Sequence, residues 1–162
     1  MTARVAALFV LLAFFGLSAC QGETMPDVYG LRLGMTASDV RDRFWGTGGS
    51  FKADVAADDY AIHWTPGAST EAKDPSGKST AFEPNPTAMT FEFHMGTLVA
   101  VRGQVPAGAS IAHGAEYVTT KSAVLHRAAV PGGGNVSIDL LARDCPTHKA
   151  EADRFVSAAK AR

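Results

Sequence analysis

The chain has only two cysteines in 162 residues, no apolar run long enough to cross a bilayer, and almost no imbalance of charge. Each of these shortages excludes something. A bilayer core needs roughly 20 consecutive apolar residues in a helix, and the longest run, Val5 to Leu17, is 13 residues interrupted by Gly16. A net charge of −1, from 15 basic and 16 acidic residues, gives no basic surface of the kind that binds phosphate backbones, so nucleic acid is excluded as a partner. The 16 glycines and 8 prolines have no fixed period, and there is no internal repeat or heptad array. Catalytic signatures are lacking too. The five histidines, His63, His94, His113, His126 and His148, show no paired helical spacing, so no metal site is assigned. Gly-x-Ser-x-Gly is absent, and Gly132-Gly133-Gly134 has no Gly-Lys-Ser/Thr after it, so it reads as a turn and not as a phosphate loop. No cofactor is expected.

What the chain does have begins at its start. Met1 to Arg4 carry one positive charge and the 13-residue apolar run follows, which is the layout of a signal peptide over 1–19. Ordinary cleavage wants small residues at the third and first positions before the cut, and Leu17 is not small. Leu17-Ser18-Ala19-Cys20 instead resembles the lipobox of bacterial lipoproteins. That resemblance implies that Cys20 is diacylated on sulfur, becomes the new N-terminus and anchors the protein in a membrane. Gln21 in place of Asp then implies the outer membrane, with the domain facing the periplasm. Several acyl chains are needed for durable attachment, since one holds only marginally. Removing residues 1–19, with Arg4, leaves 143 residues of net charge −2, a usual size for one domain. With Cys20 acylated, Cys145 has no partner for an intramolecular disulfide.

In the mature chain, 20–28 reads as a lipidated tether and 29–162 as a single α+β domain. Thr36-Ala37-Ser38-Asp39 has the form of a capping box with Asp in the Glu position, Met35 and Val40 form a hydrophobic staple, and Gly46 is a natural stop. Asp59 to Thr65, Ala88 to Met95 and Leu98 to Val105 are rich in β-branched and aromatic residues and read as strands, with His94-Met95-Gly96-Thr97 a tight turn that sets Phe91, Phe93, Val99 and Val101 on one face. A second hairpin is expected from Ala123–Val130 and Asn135–Arg143. Ser110 to Thr120 is ambiguous between a short helix and an irregular entry to a strand. Pro146 to Ala159 reads as a helix with an apolar stripe of Ala152, Phe155, Val156 and Ala159. The two helices are expected to cover one face of an antiparallel sheet in a two-layer arrangement. Residues 65–87, with four prolines, read as a flexible insertion or a partner-binding loop.

The stretch Tyr29 to Val40, with its Gly34-Met35-Thr36-x-x-x-Val40 core, resembles the opening of small envelope lipoproteins of the SmpA/OmlA type and of repeats in β-lactamase-inhibitor-like domains. The resemblance implies short helices on an antiparallel sheet and a non-enzymatic binding or assembly role with an envelope protein as partner. Trp45, Phe51, Tyr60, Trp64 and Phe82 are either core or, if exposed together, a partner groove. Cys145, followed by Pro146 at an expected helix start, is either buried or a candidate reactive thiol. Two other functions stay open: an envelope enzyme, hydrolytic or thiol-dependent, and an inhibitor or immunity protein.

Overall fold

The computed structural model describes residues 25–44, 49–56, 59–67 and 86–162. Neighbouring residues on a strand point to opposite sides of a sheet, and directly paired residues share a side, so the pairing register shows what each face is made of. One row runs Ala53, Ile62, Phe91, Val101, Leu140, Leu125, Val118 and is apolar from end to end. The next row along, on the other side, runs Lys52, His63, Thr90, Arg102, Asp139, His126, Tyr117 and is polar throughout. These rows cross seven strands: β1 (Ser50–Ala56), β2 (Asp59–Thr65), β3 (Ala88–His94), β4 (Thr97–Pro106), β5 (Tyr117–Thr119), β6 (Ala123–Ala129) and β7 (Asn135–Ala142). All pairs are antiparallel and the spatial order is β1-β2-β3-β4-β7-β6-β5. Two meanders, β1 to β4 and β5 to β7, therefore meet along the β4–β7 pair.

The apolar face carries the main core: Ile62, Trp64, Met89, Phe91, Phe93, Val101, Leu125, Ile138 and Leu140 are buried there. It is closed by the N-terminal segment, through Val28 and Leu31, and by helix α1 (Ala37–Arg43) with Val40 and, just after it, Phe44. The cap expected from the sequence is present. The Thr36 Oγ1 accepts from the Asp39 N–H at 3.3 Å, while Asp39 Oδ2 accepts from the Thr36 N–H at 2.8 Å. The helix is pinned to the sheet just before that cap, by Gly34 N–H to Leu98 O (2.9 Å) and Leu98 N–H to Met35 O (2.8 Å). It ends at Arg43 with Phe44 as its C-cap; Gly46 lies outside the described residues. The Phe44 ring then meets Trp64 and Phe91 at centroid distances of 5.1 and 5.2 Å.

Helix α2 (Lys149–Lys160) packs elsewhere. Its buried Ala152 and Val156 join Ala100, Val124 and Leu141, the immediate sequence neighbours of the core residues Val101, Leu125 and Leu140. Because strand neighbours face opposite ways, α1 and α2 lie on opposite faces of the sheet, not on one as the helix patterns suggest. The α+β class with an antiparallel sheet stands; the shared covering layer does not.

Two local expectations also change, and one open alternative is settled. The β3–β4 register slips between Glu92 and Phe93, so that Glu92 pairs with Ala100 but Phe93 with Leu98. Val99 is the extra residue of this bulge, and Leu98 takes the core place that strict alternation assigned to it. Helix α2 starts at Lys149, with Cys145 to His148 forming a turn before it; Pro146 is in that turn and not in the helix. Residues 110–119 resolve into a single 3-10 turn (Ser110–Ala112) followed by the short β5. Most of the expected insertion, 68–85, lies outside the described residues, but its far end is fixed by the Thr87 N–H and Oγ1 bonds to Gln104 O (2.9 and 2.8 Å).

Gly103, on the core face of β4 opposite Met89, has no room for a side chain: a β-carbon there would collide with the Met89 sulfur and the Ala88 carbonyl oxygen. Gly103→Ala is expected to cost on the order of 2 kcal/mol through overpacking, read as a fall in the urea midpoint with an unchanged slope.

Candidate functional site

The polar face divides in two. Helix α2 makes its main contacts with β5, β6 and β7 and also packs on Ala100 of β4, so the polar side of β1 to β3 lies beyond its main contacts. The boundary runs under the first turn of α2, and the charges of the polar rows gather there around one side chain. Arg102 Nε donates to Glu92 Oε1 at 2.6 Å, its Nη1 to Asp139 Oδ1 at 3.3 Å, and its two Nη atoms to both carboxylate oxygens of Glu151 on α2, at 3.0 and 2.7 Å. One cation thus faces three carboxylates. Two histidines complete the cluster: His126 Nδ1 lies 3.3 Å from Asp139 Oδ2, and His148 Nε2 lies 3.4 Å from Glu92 Oε2. The hydrogen bonds to Glu151 are the main reason that the Arg102 guanidinium holds its proton more tightly than usual, against the cost of burial. The Arg102 hydrogen bond likewise holds the Glu151 carboxyl below the ordinary glutamate value of 4.5. His126 is further fixed by stacking between Tyr117 and Phe155, at 4.9 and 4.4 Å.

Beside this cluster, a groove of about 290 Å³ opens between Thr147 and His148, at the entry to α2, and the strands, with Asp54, Ala61, Glu92 and the bulged Val99 in its wall. Its polar groups include His148, Glu92, Asp54 and Asp59. A second groove, of about 440 Å³, lies at the end of the sheet and is lined mainly by apolar groups, among them Met25, Leu33, Met95, Val99, Cys145 and Pro146, with His94 also in the wall. Among the described residues, no three His, Cys, Asp or Glu side chains are grouped to hold a metal ion.

The residues singled out by the sequence are distributed as follows. Trp64 is 1 % exposed and belongs to the core, with its Nε1 buried and without a hydrogen-bond partner among the described residues. Tyr60 packs against the same core, stacked on Phe93 at 4.7 Å. Phe51 also packs there, half-buried. Trp45, Phe82 and Cys20 lie outside the described residues. The described aromatics therefore form no exposed strip. Cys145 is 5 % exposed, and its carbonyl accepts from the Lys149 and His148 N–H groups at 2.9 and 3.1 Å. His63 and His94 are on the same face but four residues apart in register, roughly 13 Å along a strand, so they do not form one site. Each has its own carboxylate: His63 Nε2 is 3.2 Å from Asp54, and His94 Nδ1 is 2.6 Å from Asp59. The sequence patterns do not point to Glu92, Arg102, Asp139 or Glu151. The available signal was a charged residue set between core residues in each strand, as in Phe91-Glu92-Phe93, Val101-Arg102 and Ile138-Asp139-Leu140.

Comparison of the chain with family models, with curated proteins and with solved structures finds no match in any of the three.

The charge cluster sets a pH signature. Glu151 has a depressed folded value, so its contribution is complete above the unfolded value of 4.5 and is lost as pH falls through the folded one. Arg102→Met leaves three carboxylates facing one another and is expected to cost on the order of 2 kcal/mol at pH 7, between exposed and fully buried ion pairs. Because the variant loses the hydrogen bond that depresses Glu151, that carboxyl takes up its proton more readily, and the deficit should shrink as pH is lowered from 7 to 4. Urea midpoints of both proteins across that range check this.

Proposed function

We propose that the chain is an envelope lipoprotein, anchored through Cys20, whose domain is a non-catalytic accessory that binds a protein partner on the open half of its polar sheet face. The anchor rests on the signal-peptide layout and Leu17-Ser18-Ala19-Cys20. Among the described residues no helix is long and apolar enough to cross a membrane, so an anchor of this kind would come from the lipid. The observation that carries the binding role is the groove at the edge of α2. It lies beyond the main contacts of the helix, it combines the apolar Val55, Ala61 and Val99 with His148, Glu92 and Asp54 in its wall, and its volume suits a few side chains of a partner. The resemblance of Tyr29 to Val40 to envelope lipoproteins of the SmpA/OmlA type points the same way. Sorting to the outer membrane, facing the periplasm, follows within this reading from Gln21.

A second reading is favoured by one specific observation. His94, oriented by Asp59, and Cys145 line the same groove, which is the residue set of a thiol-dependent enzyme. Against it, Cys145 is buried and no hydrogen bond joins it to His94.

The anchor, the partner groove and the thiol enzyme are tested separately. Intact mass of the membrane-extracted protein should show a chain beginning at Cys20 with added acyl mass, and Cys20→Ala should move the protein to the soluble fraction. A photo-crosslinker at position 61 should then trap a discrete envelope protein that a crosslinker at position 134, on the far turn, does not. Equal or absent adducts at the two positions would reject the partner groove. In the native protein, Cys145 is expected to resist iodoacetamide until urea is added; rapid alkylation at neutral pH would instead support the thiol enzyme.

A further inference from the structure

The two ends of the sheet differ in what they show to solvent. Val55 and Met95, exposed by 76 % and 77 %, are the large exposed hydrophobic side chains among the described residues. Both are at the same end, because Ala56 pairs with Asp59 and Asp59 with His94, which sets the last residues of β1 two strands from the β3–β4 turn. The opposite end carries the glycine turn 132–134, Asn135, Ser50 and Thr65.

Met95 is in an unusual place. It and Gly96 form the two-residue turn between β3 and β4, with φ of +50° and +78°. Such turns take Asn-Gly or Asp-Gly by preference, because a side chain at positive φ is strained unless it is short and polar. A long apolar residue is held here in a strained conformation and is left in water. Directly beside it is the apolar groove of about 440 Å³, with Leu33, Val99 and Pro146 in its wall. The chain enters the domain at that same groove: Met25 lines it, its sulfur accepts from Ser122 Oγ at 3.1 Å, and Val28 is fully buried three residues later. From Cys20 to Met25 is five residues, at most about 17 Å when fully extended.

We propose that this end of the sheet, with Met95 at its tip and the Met25 groove behind it, is a membrane-contacting surface that seats in the interfacial layer of a zwitterionic bilayer. The inference rests on the lipid anchor at Cys20 proposed above. A tether so short keeps the apolar end at the bilayer, and Met95, exposed in the wall of the groove, is placed to enter the boundary between headgroups and acyl chains. Asp54 and Asp59, which face His63 and His94, and Asp144 in the groove wall set acidic groups at that end, which favours neutral over anionic headgroups. Val55, Asp54 and Asp59 also line the partner groove, so the groove adjoins the membrane-contacting surface.

The test uses the full lipidated protein in phosphatidylcholine vesicles containing a spin-labelled lipid quencher. Fluorophores are attached at Met95→Cys or at Gly134→Cys, each in a Cys145→Ala background; a β-carbon at Gly134 meets nothing within 4 Å. Intact mass is recorded on the same samples. Acyl mass on Cys20 with several-fold stronger quenching at position 95 than at 134 is the expected result. Acyl mass with equal quenching at both positions overturns the membrane-contacting surface and leaves the anchor standing. No acyl mass on Cys20 overturns both.

Discussion

Arg102 stands on β4, the strand through which the two meanders of the sheet are joined, and its guanidinium is shared among β3, β7 and α2 through Glu92, Asp139 and Glu151. The apolar contacts of this face are confined to the small cluster under α2, and the row of side chains that includes Arg102 is polar from strand to strand. A fork-shaped, permanently charged donor suits the position, because it can address three carboxylates in different directions at once. The placement of α2 depends on it. The helix has no side-chain N-cap at His148, and its apolar contacts, Ala152, Val156 and the half-buried Phe155, lie beyond its first residues, so the bidentate bond to Glu151 in its first turn helps fix where the helix begins and how it is turned on the sheet. The edge of the partner groove follows from that setting.

The elements that were legible in the sequence are those whose signals are local. Thr36 and Asp39 form a cap across three residues, β2 was read with its observed ends, and β3, β4, β6 and β7 were placed to within one or two residues by alternation and by their turns. What was not legible depends on partners distant in sequence. β1, Ser-Phe-Lys-Ala-Asp-Val-Ala, is an outer strand with mostly exposed side chains, so it lacks the hydrophobic alternation that marks a half-buried strand. The apolar stripe of α2 showed that the helix packs on something, but the choice of face is decided by Ala100, Val124 and Leu141 on three strands that only tertiary structure brings together. The bulge at Val99 has no local marker.

The candidate site was less legible than the fold for the same reason. Aromatic residues drew attention as partner anchors, yet Trp64 and Tyr60 are used by the core, whose closing layer is thin and relies on large rings meeting Phe44 and Phe93. The groove is walled instead by ordinary residues, Ala61, Val99 and Glu92, made notable only by register and by a helix that stops short of them. His148 was noticed as one of five histidines, but its pairing with Glu92 needs the β3 register and the α2 start together.

The order of strands also shapes how the chain is assembled. Within each meander every strand pairs with its sequence neighbour, contacts that close quickly, whereas β4 must wait for β7, which begins some thirty residues later. A chain that emerges N-terminus first completes β1 to β4 while the inner edge of β4 still has unpaired N–H and C=O groups and Arg102 has only Glu92 to bond. That edge is the point at which a half-made molecule is open to the wrong strand, and the arrival of β7 and then α2 closes it.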